Sequence, residues 1–193
     1  VTVIVAAKTE NDGVVMAADR LVTNSWQKQY NATPKLWTNN GTWAVGGAGD
    51  FRAVQVIKHH VTWPKYRPDE EPDPEAFMVK TAIPAIRSGV QGHGVLKEES
   101  GIQSVDAQLI AATGDHIFEI MGNGTVLADV SGCAAIGSGY AEAIGRLGTD
   151  GPWTEADVID AVRRAIRTAV GCDGPISVVN TKTLTIRTVN SDD

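Results

Sequence analysis

Two nearly continuous apolar runs, residues 3–7 and 14–18, are joined by Lys8-Thr9-Glu10-Asn11-Asp12-Gly13. Asp-Gly between two β-rich runs signals a hairpin, with Gly13 free to take a positive φ. A strand with one wet face alternates apolar and polar residues, whereas a run without alternation is covered on both faces. This hairpin is therefore expected inside the molecule, with packing above and below it.

The remaining pattern supplies that packing. Residues 35–37 and 42–45 are strand candidates around an Asn39-Asn40-Gly41 turn, after a polar loop with Pro34; Gly46-Gly47-Ala48-Gly49-Asp50 ends the second. Phe51, Val54, Ile57 and Val61 then fall at helical spacing up to Pro64. Residues 65–73 are rich in Pro and charge and read as a connector. Asp73 offers an N-cap with Pro74 at the first helical position, and Val79, Ile83, Ile86 and Val90 make one face, with a kink expected at Pro84. Runs at 107–112, 117–121 and 125–130, separated by Thr113-Gly114-Asp115 and Asn123-Gly124, read as an antiparallel meander. Residues 134–136 add a strand that enters Gly137-Ser138-Gly139 and a helix with Tyr140, Ile144 and Leu147. In the last helix Thr154 to Asp157 resembles a capping box, Trp153 and Val158 a hydrophobic staple, and Gly171 a left-handed cap. Its buried face is expected at Val158, Val162, Ile166 and Val170, and runs at 176–179 and 184–189 close the chain as a hairpin before the polar tail Ser191-Asp192-Asp193.

Strands, two helices, a strand meander, two helices and two strands argue α+β, and strands covered on both faces require helices outside. Two stacked antiparallel sheets between helix layers, an αββα sandwich, satisfy both demands. The 193 residues fit one domain, 1–193, able to hide roughly 70% of its unfolded surface. A net charge of -6 repels phosphate and anionic lipid, so neither nucleic acid nor a membrane is an expected partner. No apolar run approaches the roughly 18 residues of a membrane span, and the first residues lack a basic start and a cleavage site, so a soluble cytoplasmic chain is expected. Cys133 and Cys172 make neither a disulfide framework nor a CxxC site. Gly137-Ser138-Gly139 has Glu142 where a dinucleotide turn needs its third glycine. His59 and His60 point to different helix faces, and His93 and His116 show no partner in the sequence. No cofactor and no metal are expected.

What remains is Thr2, Asp19, Lys35, Gly46-Gly47 and Gly137-Ser138-Gly139. Singly they have ordinary readings: a strand threonine, a turn aspartate, a lysine reaching to the surface, turn glycines. In order they resemble the proteasome β-subunits and the bacterial HslV peptidase, members of the N-terminal-nucleophile hydrolases. Thr2-Val3-Ile4-Val5 is similar to that family's Thr-Thr-Ile-Val start. Gly13-Val14-Val15-Met16-Ala17-Ala18-Asp19-Arg20 is similar to its Gly-Val-Val-Met-Ala-Gly-Asp-Arg stretch. Lys35-Leu36 resembles its catalytic lysine step, Gly46 to Asp50 its oxyanion turn, and Ala135-Ile136-Gly137-Ser138-Gly139 its Ala-Ile-Gly-Ser-Gly. The likeness spans essentially the whole chain in one order.

The resemblance implies a threonine peptidase acting on peptides or unfolded protein, a homo-oligomeric ring, and room for an ATPase unfoldase partner. Two rivals stand beside it: a non-catalytic assembly subunit of the same fold, and an amidase acting on a small molecule. The implied catalytic set is Thr2, Asp19, Lys35, Gly46, Ser138 and Asp173, with Asp19 holding Lys35, Gly46 donating to the oxyanion, and Ser138 and Asp173 orienting the amine. The implied side-chain pocket is Val22, Thr33, Ala44, Gly46, Ala48 and Arg52. The chemistry is sound on its own terms, because a threonine that is residue one carries its own base, an α-amine with an unperturbed pKa of about 7.7–8.0 that a nearby ammonium lowers. Val1 is expected to be absent from the active protein, as the last propeptide residue or as a start codon read as methionine and trimmed. Lys35→Ala is expected to abolish hydrolysis with little loss of fold, as suits a lysine at a strand edge.

Overall fold

In the computed structural model, Ile4–Thr9 (β1) and Gly13–Ala18 (β2) form the expected hairpin, and Gly13 sits at φ +67°. The structure describes residues 2–24, 27–30, 33–128, 131–148, 150–169 and 171–191; Val1, Val130, Val170 and the last two residues of the tail lie outside the described residues. β1 and β2 are the centre of a five-stranded antiparallel sheet. Cys133–Ile136 (β12) flanks β1, while Ile176–Asn180 (β13) and Arg187–Val189 (β14) lie beyond β2.

The second sheet runs Val126–Ala128 (β11), His116–Ile120 (β10), Ala107–Thr113 (β9), Trp43–Gly49 (β6) and Leu36–Asn39 (β5). β6 continues through the glycines that the sequence reading took as its end. Gly46 explains why: a Cβ there would lie 2.8 Å from Ile4 Cγ2 and 2.9 Å from Leu36 Cδ2, so its bare backbone lets the sheets approach. Ile4, Ala6, Met16, Leu36, Ala44 and Ile110 fill the layer between them.

Each outer face carries helices. Phe51–His60 (α1) starts at Asp50, whose side chain accepts from the Ala53 N–H at 2.8 Å, and packs with Ile83–Val90 (α3) on the second sheet. Asp73 caps Pro74–Phe77 (α2) as expected, and a π-helical turn at Met78–Ala82 joins α2 to α3. That turn stands just before Pro84, which has no N–H to give the preceding turn. Its extra residue shifts the apolar register: Met78 is buried and Val79 exposed, contrary to the expected face.

Tyr140–Leu147 (α4) and Glu155–Thr168 (α5) cover the first sheet, with Ala143, Leu147, Val158 and Val162 inside and Tyr140 outside. The Thr154–Asp157 capping box is present on both sides. α5 stops at Thr168 with Ala169 extended, so Gly171, at φ +92°, lies beyond the cap instead of forming it. The αββα order is therefore as the pattern required. Two hairpins were not expected: Leu21–Asn24 (β3) with Gln27–Tyr30 (β4), and Leu96–Glu99 (β7) with Ile102–Val105 (β8). No helix among the described residues is long and apolar enough to cross a membrane.

Candidate active site

The turn after β12 fixes Thr2. Gly139 N–H donates to the Thr2 carbonyl at 3.2 Å, and a Cβ on Gly137, at φ +89°, would fall 2.2 Å from that carbonyl oxygen. Only a glycine fits this approach. Ser138 Oγ accepts from Thr2 N at 3.3 Å and donates to Thr2 O at 3.4 Å, so the expected serine stands at the nitrogen of the expected nucleophile.

Asp19, just past β2, is fully buried and gathers the surroundings. Its Oδ1 accepts from Val3 N at 2.9 Å and from Lys35 Nζ at 2.8 Å, and Oδ2 accepts from Leu21 N at 3.2 Å and from Asp173 N at 3.5 Å. Lys35 is only 7% exposed, so it is not the surface lysine its sequence context suggests. Burial pushes the Asp19 carboxyl above the usual carboxylate range and the Lys35 ammonium below the usual lysine range, each opposed by the other's charge. A buried pair of this kind adds little to stability and fixes a charge in place.

Thr2 and Lys35 open together into a cavity of about 300 Å³. Leu21, Val22 and Thr23 of β3 and Thr33, Pro34 and Trp37 line one part of it; Gly47, Ala48 and Gly49 of β6 line another. The wall that the sequence reading missed is α1, which presents Asp50, Phe51, Val54, Gln55, Lys58 and His59. The signal was present as helical spacing, but the spacing alone does not say that Phe51, 41% exposed, and Val54 face a cavity.

Of the residues named for a side-chain pocket, Val22, Thr33 and Ala48 line this cavity, and Ala44 and Arg52 are not among its lining residues. Ala44 packs between the sheets, and Arg52 donates to the His93 carbonyl at 3.2 Å. Gly46 is absent from the lining as well, and its neighbour Gly47 is present. Gly47 N–H donates to Lys35 O at 3.3 Å, so the antiparallel alternation turns the Gly46 N–H toward β9, opposite Ile110, and Gly47 takes the lining position. Asp173 reaches Asp19 through its backbone only. Its carboxylate accepts from Gly174 N at 2.7 Å and from Tyr30 OH at 3.2 Å.

Cys172, absent from the expected site, is buried with its sulfur close under Gly139, and burial followed by the Asp19 charge raises its thiol to about 11. It is neutral at physiological pH and no rival nucleophile. The His60 and His93 rings lie 4.0 Å apart at a tilt of 37°, giving His93 a partner that the sequence did not reveal.

The family model for proteasome subunits matches residues 2–183. The chain belongs to the proteasome family. Solved structures carry the same N-terminal-nucleophile fold at low identity. The BPH of Thiobacillus denitrificans in complex with epoxomicin has a TM-score of 0.72 at 18% identity, over 93% of this chain and 97% of that one. Eukaryotic HslV from Trypanosoma brucei has a TM-score of 0.64 at 22% identity, over 93% and 98%. An Anbu (Gly-1) mutant from Hyphomicrobium sp. strain MC1 has a TM-score of 0.64 at 18% identity, over 98% and 87%. Within this proteasome-family fold, Thr2 occupies the start of the matched region and Lys35 the cavity floor beside it.

Proposed function

We propose that this proteasome-family chain is an N-terminal threonine peptidase whose nucleophile is Thr2. The observation that carries the reading is that Thr2, whose N–H meets Ser138 Oγ, and Lys35, paired with the buried Asp19, line one cavity. With the Val1–Thr2 bond cleaved, the Thr2 nitrogen becomes a free amine beside Ser138 Oγ. The Lys35 charge lowers its pKa, leaving it neutral near pH 7 and able to take the Thr2 hydroxyl proton.

The Thr2 oxygen attacks the peptide carbonyl. A backbone N–H at the cavity edge of the Gly46–Gly49 segment meets the oxyanion, an interaction of about 2.7–4 kcal/mol in other enzymes. The amine then returns its proton to the leaving nitrogen, and water hydrolyses the ester by the same route. Asp19 holds Lys35 and the Val3 N–H, so it positions both the charge and the strand that carries the nucleophile. Homo-oligomeric rings and an unfoldase partner belong to the same proposal, and a protease with so open a site gains selectivity from enclosure.

Peptide-amide reporters test the reaction on protein whose N-terminus has been read by intact mass. Hydrolysis should require chains that begin at Thr2 and should vanish in Thr2→Ala. Epoxomicin, bound by the Thiobacillus denitrificans neighbour, should add its mass to processed wild type and not to Thr2→Ala. Full activity in chains that all retain Val1 would overturn the mechanism.

A further inference from the structure

The cavity wall on α1 is not uniform in charge. Asp50 stands at its N-terminal end, occupied in capping Ala53, and Lys58 stands eight residues later, about 12 Å along the helix axis. Lys58 lines the same cavity as Thr2 and is half-buried. Its Nζ donates to the Pro34 carbonyl at 3.2 Å, one residue before Lys35, and lies 5.9 Å over the Trp37 ring.

Those are neutral partners. Among the described residues no carboxylate forms an ion pair with Lys58, whereas the other buried lysine of the cavity, Lys35, is matched by Asp19. Burial holds the Lys58 ammonium below the usual lysine range with no opposing charge. A half-buried cation that lacks a counterion, in the wall of a substrate cavity, is completed by an anion from the substrate.

We infer that the cavity selects a peptide with a carboxylate side chain, Glu or Asp, next to the cleaved bond, and that Lys58 is the specificity-determining residue. The inference rests on the peptidase reading for the word cleaved, but the pocket chemistry stands apart from catalysis. Trp37 and Val54 supply apolar walls for the methylene stem, and Lys58 takes the carboxylate. Glutamine, of the same shape and without charge, is the control that isolates this contact.

The experiment compares peptide-amide reporters that differ only in Glu or Gln at that position, in wild type, Lys58→Met and Lys58→Arg. Wild type should favour Glu in kcat/KM by about tenfold, the size of a charge-assisted contact discounted for partial exposure. Lys58→Met should erase the preference, and Lys58→Arg should keep most of it. Equal rates for Glu and Gln in wild type, or an unchanged preference in Lys58→Met, overturns the inference while leaving the peptidase intact. Absence of hydrolysis for every reporter defeats the peptidase reading instead. Calorimetric binding of N-acetyl tetrapeptide amides ending in Glu or Gln then decides the pocket: a tenfold Kd difference that Lys58→Met removes supports it, and equal or undetectable binding overturns it.

Discussion

Replacing Lys35 by Met leaves Asp19 as a carboxylate with no exposed surface and no counterion. Burial raises the Asp19 carboxyl, so the fold disfavours its charged form, and the loss is largest above the folded pKa and fades as pH falls toward the ordinary value of 3.8. At pH 7 the variant can escape by protonating Asp19. One pKa unit is worth about 1.4 kcal/mol, so taking up that proton against an ordinary value of 3.8 costs about 4 kcal/mol. The figure matches the roughly 3–5 kcal/mol typical of breaking a buried pair from one side.

At pH 4.5 the same proton costs about 1 kcal/mol, so most of the penalty should disappear. Adding Asp19→Asn to Lys35→Met removes the stranded charge and keeps an oxygen for the Val3 N–H, and should bring stability at pH 7 within about 1 kcal/mol of wild type. Urea unfolding of the three proteins at pH 7.0 and 4.5 reads these numbers directly. A Lys35→Met protein as stable as wild type at pH 7, or a penalty that ignores pH, would refute the reasoning. The expectation that a Lys35 truncation spares the fold came from treating it as a strand-edge residue, and its burial reverses that.

Gly137→Ala places a Cβ against the Thr2 carbonyl at a positive φ; it should cost about 2 kcal/mol or more and lower kcat more than it raises KM, measured by unfolding and steady-state kinetics. Trp43 is fully buried, donates from Nε1 to Pro64 O at 2.8 Å and packs on Trp63, Phe77 and Phe118. Trp43→Ala should cost about 3–5 kcal/mol in unfolding free energy, with kcat preserved in the protein that remains folded. The pH profile of kcat/KM should be bell-shaped. Its acid limb, from protonation of the Thr2 amine, should lie below about 7.7–8.0, and its alkaline limb, from loss of the Lys35 proton, below the ordinary lysine value of 10.5. Activity still rising at pH 10.5 would exclude Lys35 as the source of the charge.

The parts of this fold that were legible in the sequence are those written in local chemistry. Asp12-Gly13, Asn40-Gly41 and the Thr154–Asp157 box act over a few residues, and each forms the element it signals. The β3–β4 hairpin was hidden because its strands are largely polar and carry no apolar alternation, and β7–β8 because Lys97, Glu98 and Glu99 leave it facing water. At the candidate site, Thr2, Asp19, Lys35 and Ser138 were singled out by order along the chain; the structure puts Ser138 against Thr2 and Asp19 against Lys35. Which of Gly46 and Gly47 lines the cavity was not legible, because it depends on how β6 pairs with its neighbours at Lys35 and Ile110. Lys58 went unnoticed because its distinction is the absence of a carboxylate partner among the described residues, which only tertiary structure reveals.

Asp19 follows β2 of one sheet, whereas Lys35 precedes β5 of the other. The lysine that the proposed mechanism uses is therefore held by an aspartate from across the seam between the sheets, and neither sheet contains the whole pair. A chain with both sheets formed but not yet stacked would hold a threonine without its activating lysine. On the proposed mechanism, proteolysis therefore waits for the two sheets to meet, and a copy in which they have not yet met would be harmless to other newly made proteins.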